Sequence, residues 1–352
     1  MSRVRPSVCF PPDGGKFRCK ERCIMADLKT TYMGIPLANP LVVGACSLSK
    51  NVDSIKALEA AGAGGLVIKS LFEEQIQIEE EDFASKLAAH NDTDSEARSF
   101  FPQLRHGGPK EHVFWVKEAR KAVKFPLFAS LNCINSGSWI EYAKQLADTG
   151  VNGLELNFYS PALSPDVLSG DIEKKEVDVV AKLRAAVKLP IAVKLHPYYT
   201  SLMNVAASFE KAGANALILF NRLFEPDIDV DTLAKKASFS PSESHDSLVA
   251  LRWIGLLAKR SKADLVGSTG VSSGKDIARL ILAGANSVQA VSALLKNHGA
   301  AVQKILGELD AWMNEHKFAN LAAFRGKLAG SKDSDAWSYD RGQYIKAIVG
   351  ID

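Results

Sequence analysis

No stretch of this 352-residue chain approaches the roughly 20 consecutive apolar residues that a membrane helix needs, which excludes a spanning helix. Charge of one sign is missing as well. The 43 Lys and Arg residues nearly balance 40 Asp and Glu, and the net +3 is unclustered, so nothing marks a nucleic-acid surface. The longest local bias is acidic, EEQIQIEEED at 73–82, and reads as a solvated face before a partner patch. Cysteine is scarce and odd in number: Cys9, Cys19, Cys23, Cys46 and Cys133. With no secretory signal apparent, that usage points to a reducing compartment and a cytoplasmic protein. Cys9, Cys19 and Cys23 lack a fourth ligand and the tighter spacing of a zinc or iron–sulfur knuckle, so no metal is expected.

Residues 1–24 carry neither helical nor strand periodicity and precede a second methionine, Met25. They read as a disordered extension. A basic targeting segment is the other reading, although their Pro and Gly content suits an amphipathic helix poorly.

From Met25 onward, short runs rich in Val, Ile and Leu alternate with longer segments of helical period. The strands are read at Leu41–Ala45, Gly65–Ser70, Pro126–Asn132, Gly153–Phe158, Ile191–His196, Asn215–Asn221, Asp264–Gly267 and Ser287–Val291. Helices are expected near 51–61, 110–123, 137–149, 173–187, 201–212, 245–260, 274–284 and 298–316. Several helices end in an Ala-Gly pair just before the next strand, where glycine caps the helix. The strands are continuous apolar runs, as burial on both faces requires. Eight strands alternating with eight helices predict an α/β fold of the (β/α)8 TIM barrel type over about 40–316, within a domain of 25–330. The segment 331–352 is left as a tail that packs on the barrel or on a second subunit.

In such a barrel the carboxyl ends of the strands build the site. The stretch LELNFYSPALSPD (154–166) shows it: a buried strand is cut off by two prolines, delivering Asn157, Tyr159 and Ser160 beyond its end. Long connections at 71–109 and 222–244 leave the same face and read as lids rather than decoration. Gly44, Ala45 and Cys46 end strand 1, small enough for a flat ligand to lie against. Lys69 and Ser70 end strand 2, Ser130 and Asn132 strand 3, Lys194 and His196 strand 5, Asn221 and Arg222 strand 6. Two buried lysines need a negative partner. Glu155 is read as pointing away from the side of Asn157, which leaves an anionic ligand as that partner. GSTGVSSGKD (267–276) opens a helix after strand 7, and with Ser292 after strand 8 it stands where barrels bind phosphate.

In their order, the motifs GIPLANPLVVGA, VIKS, LELNFYSP, AVKLHP, LFNR, GSTGVSSGKDIARLILAGANSVQAVSALL and FANLAAFRGKL resemble the dihydroorotate dehydrogenase family of FMN-dependent barrel enzymes, over nearly the whole chain after Met25. The resemblance implies an FMN that rests on Gly44, Ala45 and Cys46. Lys69, Ser70, Ser130, Asn132, Asn157 and Asn221 would surround it, and Lys194 would stand near its N1. Gly267, Gly270, Val271 and Ser292 would hold its phosphate. It implies Ser160 as the base that takes the C5 proton of dihydroorotate while hydride leaves C6, and a homodimer as the assembly. Serine is a poor base at neutral pH and needs a proton path to water.

The departures gather on the substrate side. Ala162 replaces an asparagine, Tyr159 a small hydroxyl, and Arg222 another small hydroxyl. QLRHGGPKEH (103–112) lacks the asparagine of the family's pyrimidine-binding loop. A site that loses its hydrogen-bonding groups loses orders of magnitude in discrimination. A second expectation therefore keeps the flavin and changes the substrate to another small unsaturated or carboxylated compound, recognised by Arg222 or His106. Tyr159, Cys133 and His196 are further acid–base candidates. A flavin-free lyase with a Schiff base on Lys194 or Lys69, and a flavin-binding partner protein without turnover, complete the readings.

Overall fold

A computed structural model describes residues 26–72, 109–133, 139–158, 162, 164–222, 226–236, 240–330 and 336–350. The chain enters through an antiparallel hairpin, β1 (Thr30–Tyr32) and β2 (Ile35–Leu37), and then alternates: β3 (Leu41–Val43), α1 (Val52–Ala60), β4 (Gly65–Phe72), α2 (Pro109–Ala122), β5 (Leu127–Cys133), α3 (Trp139–Ala147), β6 (Gly153–Phe158), α4 (Ser169–Ala186), β7 (Ile191–Leu195), α5 (Leu202–Ala212) and β8 (Ala216–Leu219). A small antiparallel pair follows, β9 (Asp227–Asp229) and β10 (Ala234–Lys236). The alternation then resumes with α6 (Ser247–Leu257), β11 (Asp264–Ser268), α7 (Gly274–Ala283), β12 (Ser287–Ala290) and α8 (Ser292–Glu315), and α9 (Ala336–Val349) comes last.

Strands β3 to β8, β11 and β12 close on one another into a parallel eight-stranded barrel. All eight strands lie within two residues of where the apolar runs place them. The largest difference among the barrel's helices is α8, which begins at Ser292 rather than near 298. It is kinked at His298 (φ 46°), and that break hides its first turn from a helical-period reading.

Two apolar cores follow from the pleat, since alternate residues of a strand face opposite sides. Val42, Val67, Phe128, Ala192, Ile218 and Val266 fill the inside of the barrel with Tyr32 and Met33, so the β1–β2 hairpin closes its floor. Leu41, Val43, Leu66, Leu154, Val193 and their neighbours face outward and bury the inner faces of the helices.

The floor also carries a repeated device. Asn152, Asn215 and Asn286 each precede a strand, and each side-chain carbonyl accepts the amide of the strand before it: Leu127 at 3.0 Å, Ile191 at 3.0 Å and Leu265 at 3.1 Å. These bonds fix the depth at which successive strands enter. At the end of α5, Gly213 holds a left-handed φ of 106°, and its amide bonds back into the last turn before the chain enters β8. Of the two long connections, only part of 222–244 is described, and it holds the exposed β9–β10 pair. Among the described residues no helix is long and apolar enough to cross a membrane, and no group of His, Cys, Asp and Glu could hold a metal ion.

Candidate active site at the barrel mouth

Register fixes the centre of the site. Asn132 of β5 pairs with Asn157 of β6, and Asn157 with Lys194 of β7, so three predicted residues stand in one row. One step below, Ser130 pairs with Glu155, and Glu155 with Ala192.

Here the structure corrects the sequence reading. Residues two apart on a strand share a face, so Glu155 points inward with Asn157 and Lys194, not away from them. It is fully buried (0% exposed), and Lys194 nearly so at 8%. Lys194 Nζ stands 3.4 Å from Glu155 Oε1 and donates to Gln289 Oε1 at 2.9 Å. Its negative partner is therefore a residue of the barrel and need not be a ligand. Gln289 Nε2 donates to Glu155 Oε2 at 2.6 Å, and the Tyr32 hydroxyl donates to the same oxygen at 2.9 Å. Burial first, and then the Glu155 charge, push the Tyr32 pKa well above its ordinary value, which keeps the hydroxyl a donor.

Lys69 is corrected too. Its side chain is exposed rather than buried. Its pKa is lowered by partial burial and by the neighbouring Lys50 charge. Its backbone is held on both sides: the amide donates to Ser49 Oγ at 2.9 Å, and the carbonyl accepts from His112 Nε2 at 3.1 Å. A register shift between Ile68 and Leu71 bulges β4 at this point. The bulge lets Ser70 turn inward as well, and its hydroxyl meets that of Ser130 at 2.9 Å. Across the mouth, the Gly44 amide donates to the Ala290 carbonyl at 3.1 Å. A side chain at Gly44 would strike Val291 Cγ2 at 2.8 Å, which keeps that wall flat. Burial raises the Cys46 thiol pKa, while the Leu48 amide and the Lys194 charge pull it back.

The end of the mouth expected to bind phosphate is also assembled. Ser292, at the start of α8, is buried, and its hydroxyl accepts from the Ser242 amide at 2.9 Å and lies 3.0 Å from the Ser242 hydroxyl. The Gly270 amide donates to Ser242 Oγ at 3.2 Å. Gly270 holds φ 77°, and a Cβ there would lie 2.5 Å from the Glu243 carbonyl oxygen, so only glycine fits. Val271 is buried behind the turn. Gly267 lies within β11 rather than in the turn, pressed against Leu280 of α7. A cleft of about 440 Å³ opens beside Ser242 and Ser292 and runs along α8 past Lys296 and Lys304.

Asn221 follows β8, half-buried, its amide bonded to the Leu195 carbonyl at 2.7 Å. Arg222 makes a 3.6 Å ion pair with Asp246. The His196 ring stacks on Tyr199 at 3.8 Å, and its Nδ1 accepts from the Tyr198 amide, which leaves the proton of the neutral ring on Nε2. Ala162 is exposed. Tyr159, Ser160 and His106, and the side chain of Cys133, lie outside the described residues, as do residues 1–25.

Sequence reasoning missed Glu155, Gln289, Tyr32 and Ser242. Strand parity alone reveals the first two, since Gln289 lies inward in β12 as Glu155 does in β6. Tyr32 and Ser242 carry no local signal.

A flat ring bearing a phosphate fits these residues. Asn157 Oδ1 is buried and has no hydrogen-bond partner among the described residues, so an acceptor waits at the centre of the mouth. The Gly44 wall is bare, and at the far end the Ser242 and Gly270 amides and the Ser242 and Ser292 hydroxyls meet in one small volume, bonded to one another. The family model for dihydroorotate dehydrogenase matches residues 106–313, more than half of the chain. The chain belongs to the dihydroorotate dehydrogenase family. The catalytic subunit of dihydroorotate dehydrogenase B (NAD(+)) of Thermoplasma volcanium is 27% identical over 309 residues, covering 86% of this chain and 98% of the relative. The protein of the same description from Thermoplasma acidophilum is 25% identical over 302 residues, covering 84% and 97%. Dihydroorotate dehydrogenase A (fumarate) of Lactobacillus helveticus is 31% identical over 191 residues, covering 53% and 62%. This dihydroorotate dehydrogenase family member thus aligns with two relatives along nearly their whole length, and the matched region includes every barrel strand from β5 onward.

Proposed function

We propose that this enzyme is an FMN-dependent dehydrogenase that oxidises dihydroorotate to orotate. The observation that carries the reading is the row formed by Lys194 and Asn157: a buried ammonium beside a buried acceptor with no partner among the described residues, at the catalytic end of a barrel of this family. Bound there, FMN supplies a two-electron acceptor for hydride.

The chain's own residues have separable tasks. Gly44, Ala45 and Cys46 give the ring a flat bed. The Gly270 amide and the Ser292 hydroxyl, with Val271 behind them, hold the phosphate. Asn132, Asn157, Asn221, Ser70 and Ser130 offer donors and acceptors to the ring edge, and Lys69 stands open at the rim. Lys194 attracts negative charge that gathers on its side of the site. Ser160 takes the proton from C5 of the substrate, with Tyr159 beside it. The relatives' names, one with NAD(+) and one with fumarate, differ in the electron acceptor. A homodimer accords with the exposed Tyr344, Ile345, Ile348 and Val349 of α9, and a cytoplasmic location with the cysteine usage.

A second reading keeps the flavin and exchanges the substrate, on the strength of Ala162 and Arg222. One experiment addresses both. The purified protein is expected to show a flavin spectrum, released by heat as FMN and bleached by dihydroorotate without oxygen. A flavin that dihydroorotate leaves coloured removes the first reading and leaves the second, and a protein that refuses FMN removes both.

A further inference from the structure

The carboxylate of Glu155 is held from three directions. Oε2 accepts from Gln289 Nε2 at 2.6 Å and from Tyr32 at 2.9 Å, while Oε1 faces Lys194 Nζ at 3.4 Å. Gln289 then turns its own carbonyl oxygen to Lys194 at 2.9 Å, and its Nε2 lies 3.3 Å from the Tyr32 hydroxyl. One carboxylate therefore ties β6, β7, β12 and the floor hairpin together inside the barrel.

Chemistry assigns it more than a structural part. A buried ammonium and a buried carboxylate largely cancel each other's field, and each is tolerable only because the other is there. Lys194 consequently reaches the mouth as half of a neutral pair, not as a bare cation. How strongly it draws an electron-rich ligand then depends on the anion behind it.

We propose that Glu155 is a positioning residue that fixes Lys194 at the barrel mouth and limits its attraction for negative charge on the bound flavin. The inference rests on the flavin reading above. It predicts a barrel tuned by subtraction: removing the anion while keeping the side chain's shape frees the lysine's field toward the ligand.

Sulfite is the probe. It is an anion that bleaches protein-bound oxidised flavin, and it does so more readily when positive charge stands close to the ring. Glu155→Gln removes the charge and keeps the side chain's shape, with one acceptor oxygen left, for Lys194 on one side or for Tyr32 and Gln289 on the other. Its sulfite dissociation constant is expected to fall on the order of tenfold, the usual size of coupling between adjacent sites. Glu155→Asp keeps the charge but withdraws it by one methylene, and is expected to fall between wild type and Gln; it carries the test alone if the Gln variant does not fold. Tyr32→Phe removes a donor to Glu155 and no charge, and should leave sulfite affinity as in wild type. Retained flavin with unshifted sulfite affinity in both Glu155 variants overturns the inference and leaves the flavin reading standing. An equal shift in Tyr32→Phe overturns it too, since the effect would then come from packing. A wild type that refuses flavin overturns both.

Discussion

The Tyr32 hydroxyl lies 2.9 Å from Glu155 Oε2, so the hairpin that seals the barrel floor is hydrogen-bonded to the strand that carries Asn157 to the mouth. Tyr32 is fully buried, with its ring edge-on to Phe128 at 4.7 Å. The aromatic body plugs the floor while its polar tip serves the ion pair above. Floor and mouth are one packed unit.

Tyr32→Phe separates these two contributions. The ring and its contact with Phe128 remain, but Glu155 loses a donor where water does not replace it. Leaving a buried, charged acceptor one bond short costs about 1–3 kcal/mol. The urea midpoint is expected to fall accordingly, with the denaturant slope unchanged, while flavin content stays at the wild-type level. A midpoint equal to that of wild type would show that the hydroxyl contributes nothing net.

Thr269 and Gly270 are adjacent and both left-handed, at φ 71° and 77°. Gly270→Ala adds a carbon 2.5 Å from the Glu243 carbonyl oxygen and 2.6 Å from the Ser247 amide. The turn must open, at about 1–3 kcal/mol, and the Gly270 amide moves away from Ser242 Oγ and so from the Ser242–Ser292 pair. Weaker retention of FMN on dialysis, together with a lower melting temperature, is the expected pair of results.

Thr269→Gly should behave otherwise. It relieves the strain of a β-branched residue in a region it disfavours. It also loses the Thr269 bond to the Phe220 carbonyl at 3.1 Å and adds freedom to the unfolded chain. These effects are alike in size and opposite in sign, so the net change should lie within about 1 kcal/mol of zero. A large loss in chemical denaturation would mean that the threonine's contacts outweigh its strain.

Much of this arrangement is legible in the sequence. Apolar runs bounded by Ala-Gly and Pro place eight strands to within two residues, because strands buried on both faces leave little else they can be. The glycine-rich turn after β11 is legible because a helix start after a late barrel strand has a known use. Glu155 was misread because alternation was applied out of phase: it lies two residues from Asn157 and so on the same face, and its partners come from positions 32, 194 and 289. Lys69 was misread because a bulge, invisible in VIKS, interrupts the alternation that would bury it. Ser242 lies in a loop with no period at all, and only the closed fold brings it to Ser292.

Acid should weaken the fold through two rings. Burial lowers the pKa of His112, with the Lys69 carbonyl partly restoring it, and burial lowers that of His196. Between each lowered value and the ordinary 6.5, the unfolded chain takes up a proton that the folded chain refuses. This contribution is whole above the ordinary value and is lost as pH falls through it. The urea midpoint should therefore drop between about pH 7.5 and pH 5.5, and drop less in a His112→Asn, His196→Asn double variant. Equal slopes in the two proteins would remove both rings from the account.

The choice of variant at Lys194 matters because of Glu155. Lys194→Met alone deletes the cation and strands a carboxylate that is 0% exposed. Breaking a buried pair from one side costs about 3–5 kcal/mol, because the remaining charge has no compensation. The Gln289 and Tyr32 donors hold the loss toward the lower end of that range. Adding Glu155→Gln removes the stranded charge, so the double variant should be more stable than Lys194→Met, with a coupling energy of about 1–3 kcal/mol once both single costs are subtracted. Chemical denaturation of the four proteins closes the cycle. Additive losses would mean that the 3.4 Å approach of the two groups carries no energy, and that Lys194 is held at the mouth by Gln289 alone.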